Sequence, residues 1–400
     1  MDISSNPMRR ILNGILVISV AFSVLSCNNN NDAIIMQNAQ RVIDCNLDNA
    51  QKTENLSDVF ECIDVITLDS KHLIGTVDII HTDENGIFLT SKDILYAFNW
   101  NGQEQFSLDR KGRALSDYLE IEDFTLSEKY IAISDPEGMK ILLFDKRDGQ
   151  YNKTIEVDFY PEEIAFLNET TLMVNCGGAD GSRLVTLDIE KGEVTNGYFN
   201  FDRIFTEPLV QAFAYVNGTP LYRIPFYNDF YSVSKERKLE KALSFDFKAK
   251  NFNPKDLKTI NVMGFNMLMD SKGNADIVNM HTVNSMFAIN FKCQSISEDS
   301  QYLLLVDTLN HTEYLFDSET TIDDILFYDH VVLPLFYDSN KNGFISVLYP
   351  DLWASTFGSI SDERKKNTNY QKASSLYQSV SKTENPAILV YRLKDLTKDK

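Results

Sequence analysis

The chain repeats one pattern, which is seen in LYAFNWNGQ (Leu95–Gln103), ILLFDKRDGQ (Ile141–Gln150) and LVTLDIEKGE (Leu184–Glu193). Each copy is an apolar run typical of a buried strand, and each ends in a glycine turn. A fourth copy of the strand begins at Phe230. The copies lie about 45 residues apart, which is the length of one four-stranded blade of a β-propeller. The repeat therefore predicts an all-β propeller.

A second repeat has the same period. In each copy an acidic residue precedes an apolar one at the start of a short strand; the copies are Asp78-Ile79, Asp123-Phe124, Glu163-Ile164 and Asp324-Ile325. Together the two repeats predict six blades, which begin near Asp78, Asp123, Glu163, Gln211, Gln294 and Asp324. A seventh blade remains an alternative, because the period is lost between Phe247 and Phe291.

The remaining sequence predicts two insertions and a closure of the ring. One insertion runs from Lys248 to Asn284, with a helix starting at Asn253, and a polar, helical one runs from Ser361 to Lys382. The last apolar run, Ala387–Tyr391, lacks a following strand, whereas Phe60–Leu68 lacks a blade before it. We expect these two runs to pair and so to remove the exposed edges of the sheet. The propeller domain is predicted over residues 57–400.

The N-terminus has the pattern of an export signal. Arg9 and Arg10 precede an apolar run that ends in Val24-Leu25-Ser26-Cys27. This predicts a lipoprotein signal peptide at residues 1–26, acylation of Cys27, and a polar tether over residues 27–56. The expected location is the outer membrane of the cell envelope, facing either the periplasm or the exterior.

Composition excludes some classes of function. The net charge is −20, so the chain would be repelled by nucleic acids. Hydrophobic residues make up 43% of the sequence, enough for a large core. Four cysteines follow Cys27 without metal-like spacing; they are Cys45, Cys62, Cys176 and Cys293. We expect them to be isolated buried thiols, with a Cys45–Cys62 disulfide as the alternative.

Over residues 57–395 the sequence resembles the six-bladed β-propeller lipoproteins of Bacteroidota, which are related in fold to NHL and TolB-like propellers. The features that carry the resemblance are the pattern at Cys27, Leu73-Ile74-Gly75, Asp323-Asp324-Ile325 and Asn385–Tyr391. Members of that family usually have a Gly-x-Gly-Pro-Gly-Glu-Tyr-like segment after the first blade. Here Lys111–Tyr118 occupies its place and keeps one glycine and the tyrosine.

The second repeat also supplies the candidate site. Equivalent positions of successive blades converge on the central channel, so Asp78, Asp123, Glu163 and Asp324 are expected to form a carboxylate ring at one mouth. Such a ring could bind Ca²⁺ or a cationic ligand. In lactonase-like propellers a comparable metal activates the substrate. The alternative is that these residues are solvated caps of the strands.

Other candidate residues show weaker patterns. The five histidines lack zinc-site spacing and are predicted to lie in turns and on the surface. Aromatic residues that could bind a glycan are Trp100, Trp353, Tyr222, Phe226 and Tyr227. Two functions follow. The first is a non-catalytic binding or scaffolding propeller for a protein, peptide or glycan. The second is a metal-assisted hydrolase or lyase that uses the carboxylate ring.

Overall fold

The computed structural model describes residues 41–179, 181–200, 211–216, 218–223, 227–251, 273–283, 286–293, 301–328, 336–338 and 343–394. In these residues the strands form six separate sheets, each with at least four strands. The first strands of neighbouring sheets contact one another around a closed ring. The predicted six-bladed propeller is therefore confirmed over the alternative of seven blades.

Three strands precede the first blade: β1 Arg41–Asp44, β2 Gln51–Lys52 and β3 Phe60–Thr67. Blade 1 contains β4 Ile79–Thr82, β5 Gly86–Ser91, β6 Ile94–Asn99 and β7 Glu104–Leu108. Blade 2 contains β8 Asp123–Leu126, β9 Tyr130–Asp135, β10 Lys140–Asp145 and β11 Tyr151–Glu156. Blade 3 contains β12 Pro161–Asn168, β13 Thr171–Ala179, β14 Ser182–Asp188 and β15 Glu193–Asn200.

Blade 4 contains β16 Phe213–Val216, β17 Thr219–Arg223, β18 Asp229–Val233 and β19 Leu239–Asp246. Blade 5 contains β20 Ala275–Val283, β21 Met286–Cys293, β22 Gln301–Asp307 and β23 Thr312–Asp317. Blade 6 contains β24 Phe336–Asp338, β25 Gly343–Leu348 and β26 Ala387–Leu393, and β3 is its fourth strand. In every blade the first of these strands lies innermost.

The middle strands are mostly apolar because both faces of each blade are buried. In β10, Leu142 and Phe144 pack against blade 1, whereas Ile141 and Leu143 pack against blade 3. The glycine that follows the strand closes the hairpin to the fourth strand. Gly102 has a φ of +78°, and a Cβ there would overlap the carbonyl oxygen of Thr67. The quoted repeat is therefore the third strand of a blade and its turn.

The antiparallel strands give the propeller two different faces. We call the edge where first and third strands begin the front, and the opposite edge the back. In blades 1 to 3 the back turns have two to five residues. Front connections include 109–122 and 349–386, which are the longest in the described part of the chain. Loop length is therefore concentrated on the front.

The ring closes as predicted. β26 pairs with β3 in antiparallel fashion, from Ala387 opposite Thr67 to Leu393 opposite Phe60. Blade 6 thus combines strands from both ends of the chain. This pairing removes the free edges that the two runs would otherwise expose.

The predicted tether, residues 27–56, extends too far. β1 pairs in parallel with β19, and β2 pairs in parallel with β23, so residues from Arg41 onward cover the outer edges of blades 4 and 5. Ile43 is buried there although it belongs to a polar stretch. The predicted signal peptide, residues 1–26, and Cys27 lie outside the described residues.

Two predicted blade starts were wrong. Blade 5 begins at Ala275, inside the stretch expected to be an insertion, and not near Gln294. Blade 6 has Phe336–Asp338 as its innermost strand, and Asp324 lies in the connection before it. Long front connections interrupt the period in this half of the chain, so counting from the earlier blades fails. The helix predicted from Asn253 lies outside the described residues.

The second insertion is helical as expected. Within Ser361–Lys382 it contains a 3₁₀ turn Arg364–Lys366 and α2 Tyr370–Val380. A further helix, α1 Pro350–Phe357, precedes the predicted insertion, and its Trp353 packs against blade 6. Two further 3₁₀ turns lie at Leu56–Asp58 and Lys248–Lys250. Among the described residues, no helix has the length and apolar character that crossing a membrane requires.

Cys45 and Cys62 are not joined by a disulfide, so the expectation of isolated buried thiols is confirmed for these two residues. Cys293 is only half-buried, contrary to that expectation. Cys45, Cys62 and Cys176 are buried. Burial raises the pKa of Cys62 to about 12 and that of Cys45 above its ordinary range. Thiols with such pKa values carry little thiolate at neutral pH and are poor nucleophiles.

Candidate functional site

Two of the predicted ring residues meet at the front of the channel. Asp123 is the first residue of β8 in blade 2, and Glu163 lies near the start of β12 in blade 3. These innermost strands are neighbours, and the negative charge of Glu163 acts on Asp123. We call Asp123, Glu163, Thr125 and Tyr215 the channel mouth.

Each carboxyl group of the channel mouth accepts a backbone hydrogen bond from the following blade. The N–H of Ile164 donates to Asp123 Oδ2 at 2.8 Å, and the N–H of Ala212 donates to Glu163 Oε2 at 2.6 Å. In the described part of the chain, no side chain donates a hydrogen bond to either group and no cation pairs with it. Both carboxyls therefore connect blades.

The surroundings favour the protonated form of both groups. Burial, followed by repulsion from Glu163, raises the pKa of Asp123 well above its ordinary value. Burial also raises the pKa of Glu163 to about 7, although the N–H of Ala212 and the charge of Arg223 oppose this rise. At neutral pH the channel mouth thus carries less negative charge than its composition implies.

A hydroxyl pair lies beside the carboxyls. Thr125 of β8 and Tyr215 of β16 approach within 3.4 Å through their hydroxyl oxygens. This contact joins blades 2 and 4 and therefore lies inside the channel, past blade 3. Burial and the nearby carboxyls raise the pKa of Tyr215 to about 12, so its hydroxyl stays protonated.

Blade 5 supplies a carboxylate that the sequence interpretation missed. Asp276 lies at the start of β20, and its Oδ1 is 3.2 Å from Nη1 of Arg223, which is buried at the end of β17 in blade 4. Asp276-Ile277 has the same acidic and apolar pattern as the predicted members. The sequence repeat does not place it, because residues 248–284 are predicted to be an insertion.

The other two predicted members do not join the channel mouth. Asp78 is exposed, and its Oδ2 accepts the N–H of Lys92 in its own blade. Asp324 is buried between β23 and β24, where its carboxylate accepts the N–H of Ser57 at 2.9 Å and the Ser57 hydroxyl at 2.5 Å. The predicted ring of Asp78, Asp123, Glu163 and Asp324 is thus wrong in two members.

Two histidines also contradict their prediction. His81 lies on β4 and His281 on β20, both innermost strands and both half-buried. The ring of His81 meets that of Phe124 at 4.8 Å, and burial lowers its pKa to about 4. His72 and His311 are exposed, as expected, whereas His330 lies outside the described residues.

In the described residues, the channel mouth offers fewer oxygen ligands than calcium takes. Ca²⁺ takes six to eight oxygen ligands, whereas the mouth offers two carboxyls that each bind a backbone N–H. Over the described ranges, no group of three or more His, Cys, Asp or Glu residues could hold a metal ion. The residues therefore support no step through calcium.

Most candidate glycan platforms are core residues. Trp353 and Tyr222 are fully buried. Trp100 is half-buried and donates its indole N–H to the carbonyl of Asp83. Tyr227 is half-buried, and Phe226 lies outside the described residues. These aromatics mainly stabilise the blades.

The retained tyrosine of the segment after blade 1 is structural. Tyr118 is fully buried, and its single hydroxyl proton is shared between the carbonyl oxygens of Leu108 at 2.6 Å and Asp93 at 2.9 Å. The segment is therefore held against blade 1 by this side chain.

The fold is shared with a solved structure. A protein of Bacteroides fragilis NCTC 9343, named as a candidate exported protein, superposes with a TM-score of 0.70 at 16% identity, over 89% of this chain and all of the other. Two WD40 structures match less well: the RRP9 repeats (TM-score 0.37, 14% identity, 60% of this chain and 62% of theirs) and the Neurospora crassa Pan2 domain (0.33, 9%, 60% and 64%).

No curated protein matches the sequence. A family model described as "Domain of unknown function (DUF4934)" matches residues 40–392, which is nearly the whole chain and begins where β1 begins. The chain belongs to the DUF4934 family.

Proposed function

We propose that this protein is an exported, lipid-anchored propeller that binds a protein or peptide through its front and catalyses no reaction. The anchor is Cys27, which follows Val24-Leu25-Ser26 in the pattern of a lipoprotein signal. The location is the outer membrane, and the lineage is that of the NHL and TolB-like lipoproteins of Bacteroidota. The sequence resemblance and the acidic charge of −20 support export and argue against a nucleic-acid partner.

The distribution of exposed apolar side chains carries the binding proposal. In the described residues nine large apolar side chains are exposed, and six belong to front connections: Leu73, Leu115, Met139, Tyr160, Ile322 and Leu352. Of the other three, Val42 and Val194 lie on outer strands and only Leu309 lies in a back turn. Single exposed apolar side chains are common on protein surfaces, and it is their excess on one face that favours a protein or peptide partner there.

The channel mouth supports a non-catalytic role. Both carboxyls bind backbone N–H groups of the next blade, which is a structural task. The thiols of Cys45 and Cys62 have raised pKa values, and the hydroxyl of Tyr215 remains protonated. None of these groups is an activated nucleophile.

Site-specific photo-crosslinking tests the binding proposal. A photoreactive residue replaces Leu115 or Tyr160 in cells that make the full chain, and Leu309 is the matched control because it is at least as exposed. We expect discrete adducts from the two front positions and none from Leu309. Equal adducts from all three positions would contradict binding through the front.

The anchor needs a separate test. Metabolic labelling with a radioactive fatty acid should label the wild type and not Cys27→Ser, and the variant should leave the membrane fraction. Equal labelling of both chains would show that Cys27 is not the acylated residue.

A further inference from the structure

The front ends of blades 2, 3 and 4 are joined by a short relay. Asp123 of blade 2 accepts the N–H of Ile164 in blade 3, and Glu163 of blade 3 accepts the N–H of Ala212, just before β16 of blade 4. Each bond runs from one innermost strand to the start of the next. The two carboxyls therefore lie at the interfaces between blades.

The same two junctions, and the next one between blades 4 and 5, also have contacts through groups that do not titrate near neutrality. The hydroxyl of Ser134 donates to the carbonyl of Glu162 at 3.0 Å, and the hydroxyl of Tyr222 donates to Asn175 Oδ1 at 2.9 Å. Arg223 joins blade 4 to blade 5 through Asp276. Asp123 and Glu163 are thus two titratable acceptors among contacts whose charge does not change near neutral pH.

Charged groups close to the relay act on both of its carboxyls. Asp123 experiences the charges of Glu163 and Glu122, and Glu163 those of Glu162 and Arg223. Both carboxyls act in turn on the hydroxyl of Tyr215. Arg223, the only cation in this set, already pairs with Asp276. Ionising both carboxyls therefore places two like charges at adjacent interfaces without a dedicated counter-ion.

We propose that Asp123 and Glu163 form a pH-sensitive clasp, which holds the front ends of blades 2, 3 and 4 together while a proton remains on the pair and loosens when both groups are ionised. The clasp widens the channel mouth as the pH rises. It does not depend on the proposed partner or on the lipid anchor.

The raised pKa values give the direction of the effect. A carboxyl whose pKa is higher in the folded state binds its proton more tightly there, so its ionisation weakens the folded arrangement. For Glu163, whose pKa rises from 4.5 to about 7, this weakening builds up as the pH rises from 4.5 to 7. An ionised carboxylate is a stronger acceptor for one N–H, but burial and repulsion outweigh this gain, since the net shift is upward.

Hydrogen exchange of the full chain in detergent tests the clasp. After correction for intrinsic rates, the protection of the Ile164 and Ala212 amides should fall on the order of tenfold from pH 5.5 to 8.5, because each pKa unit corresponds to a factor of ten. In Glu163→Gln, which keeps an acceptor but cannot ionise, the protection of Ala212 should lose this dependence. Glu169→Gln, on an exposed back turn, is the matched control and should behave as the wild type.

Either of two results would overturn the proposal. The first is an unchanged pH dependence at Ala212 in Glu163→Gln. The second needs no variant: carbon NMR of the labelled carboxyls in the wild type would show both Asp123 and Glu163 titrating below pH 5.

Discussion

Asp123-Phe124 and Asp324-Ile325 have the same sequence pattern but different positions. Asp123 opens an innermost strand and binds a backbone N–H of the next blade. Asp324 lies in a buried connection, binds Ser57, and is also 3.5 Å from the amide nitrogen of Asn367. In both places the carboxyl receives backbone donors that the fold would otherwise leave unpaired. The pattern therefore indicates a carboxyl group that accepts hydrogen bonds from backbone N–H groups. It does not show whether that carboxyl group lies at the channel.

The largest expected effect is at the neighbour of Asp324. Asp323 is buried and accepts three backbone N–H groups, from Ile325 and Leu326 at 2.9 Å and from Tyr328 at 3.2 Å. Asp323→Ala leaves these donors unpaired, so we expect a loss of about 3–5 kcal/mol in the free energy of unfolding. Denaturant titration of the full chain measures it.

Glu319→Ala is the control for Asp323→Ala, because Glu319 is exposed on the same connection. Its effect should stay within about 0.5 kcal/mol. Similar losses in both variants would mean that any substitution in this connection lowers the free energy of unfolding, and that the loss is not due to the buried carboxylate of Asp323.

The second largest effect is expected at Asp324, through its contacts to Ser57 and not through the channel. Asp324→Ala removes both contacts to Ser57 and should lower the free energy of unfolding by about 2 kcal/mol. The loss in the free energy of unfolding should be smaller for Ser57→Ala. The loss for the double variant should be less than the sum of the losses for the two single variants. Strict additivity of the two changes would argue against a direct contact.

The sequence predicted blades 1 to 3, where the repeat is regular, better than blades 4 to 6, where long connections interrupt it. In blades 1 to 3 the glycine turns and the acidic starts repeat with little insertion, so the strands and the positions of Asp123 and Glu163 followed from the period. The closure between β3 and β26 followed from two unpaired runs. These features depend on local patterns.

The other half depends on contacts between distant residues. Asp324 binds Ser57, which lies 267 positions earlier in the chain, and no local pattern contains that partner. The polar segment around β1 becomes a strand only because β19 offers an open edge. Asp276 carries the right pattern, but it could be placed only once β20 was known.

The pH dependence of the free energy of unfolding tests the other residue type in this comparison, the half-buried carboxyl at the channel mouth. The pKa of Glu163 rises from 4.5 to about 7 on folding, so its contribution is full below pH 4.5 and is lost as the pH rises to 7. Because Glu163 is partly exposed, solvent screening reduces the effect of this shift, and Glu163→Gln should gain roughly 2 kcal/mol of stability relative to the wild type between pH 4.5 and 8. Thermal unfolding over this range measures it, and a relative loss with rising pH would contradict the sign.

The smallest effect is expected at Asp78. Its side chain is exposed and binds one backbone N–H, that of Lys92, in its own blade. Asp78→Asn should change the free energy of unfolding by less than about 0.5 kcal/mol. A loss as large as that of Asp324→Ala would show a contact between blades that the exposed position does not suggest.

A crystal structure of the full chain, grown at neutral pH with calcium present, tests the central claim most directly. The account predicts that Asp123 and Glu163 bind the N–H groups of Ile164 and Ala212, that Asp324 binds Ser57, and that the channel mouth holds no calcium. A calcium ion at the channel mouth, coordinated by Asp123 and Glu163 together with Asp78 or Asp324, would contradict it.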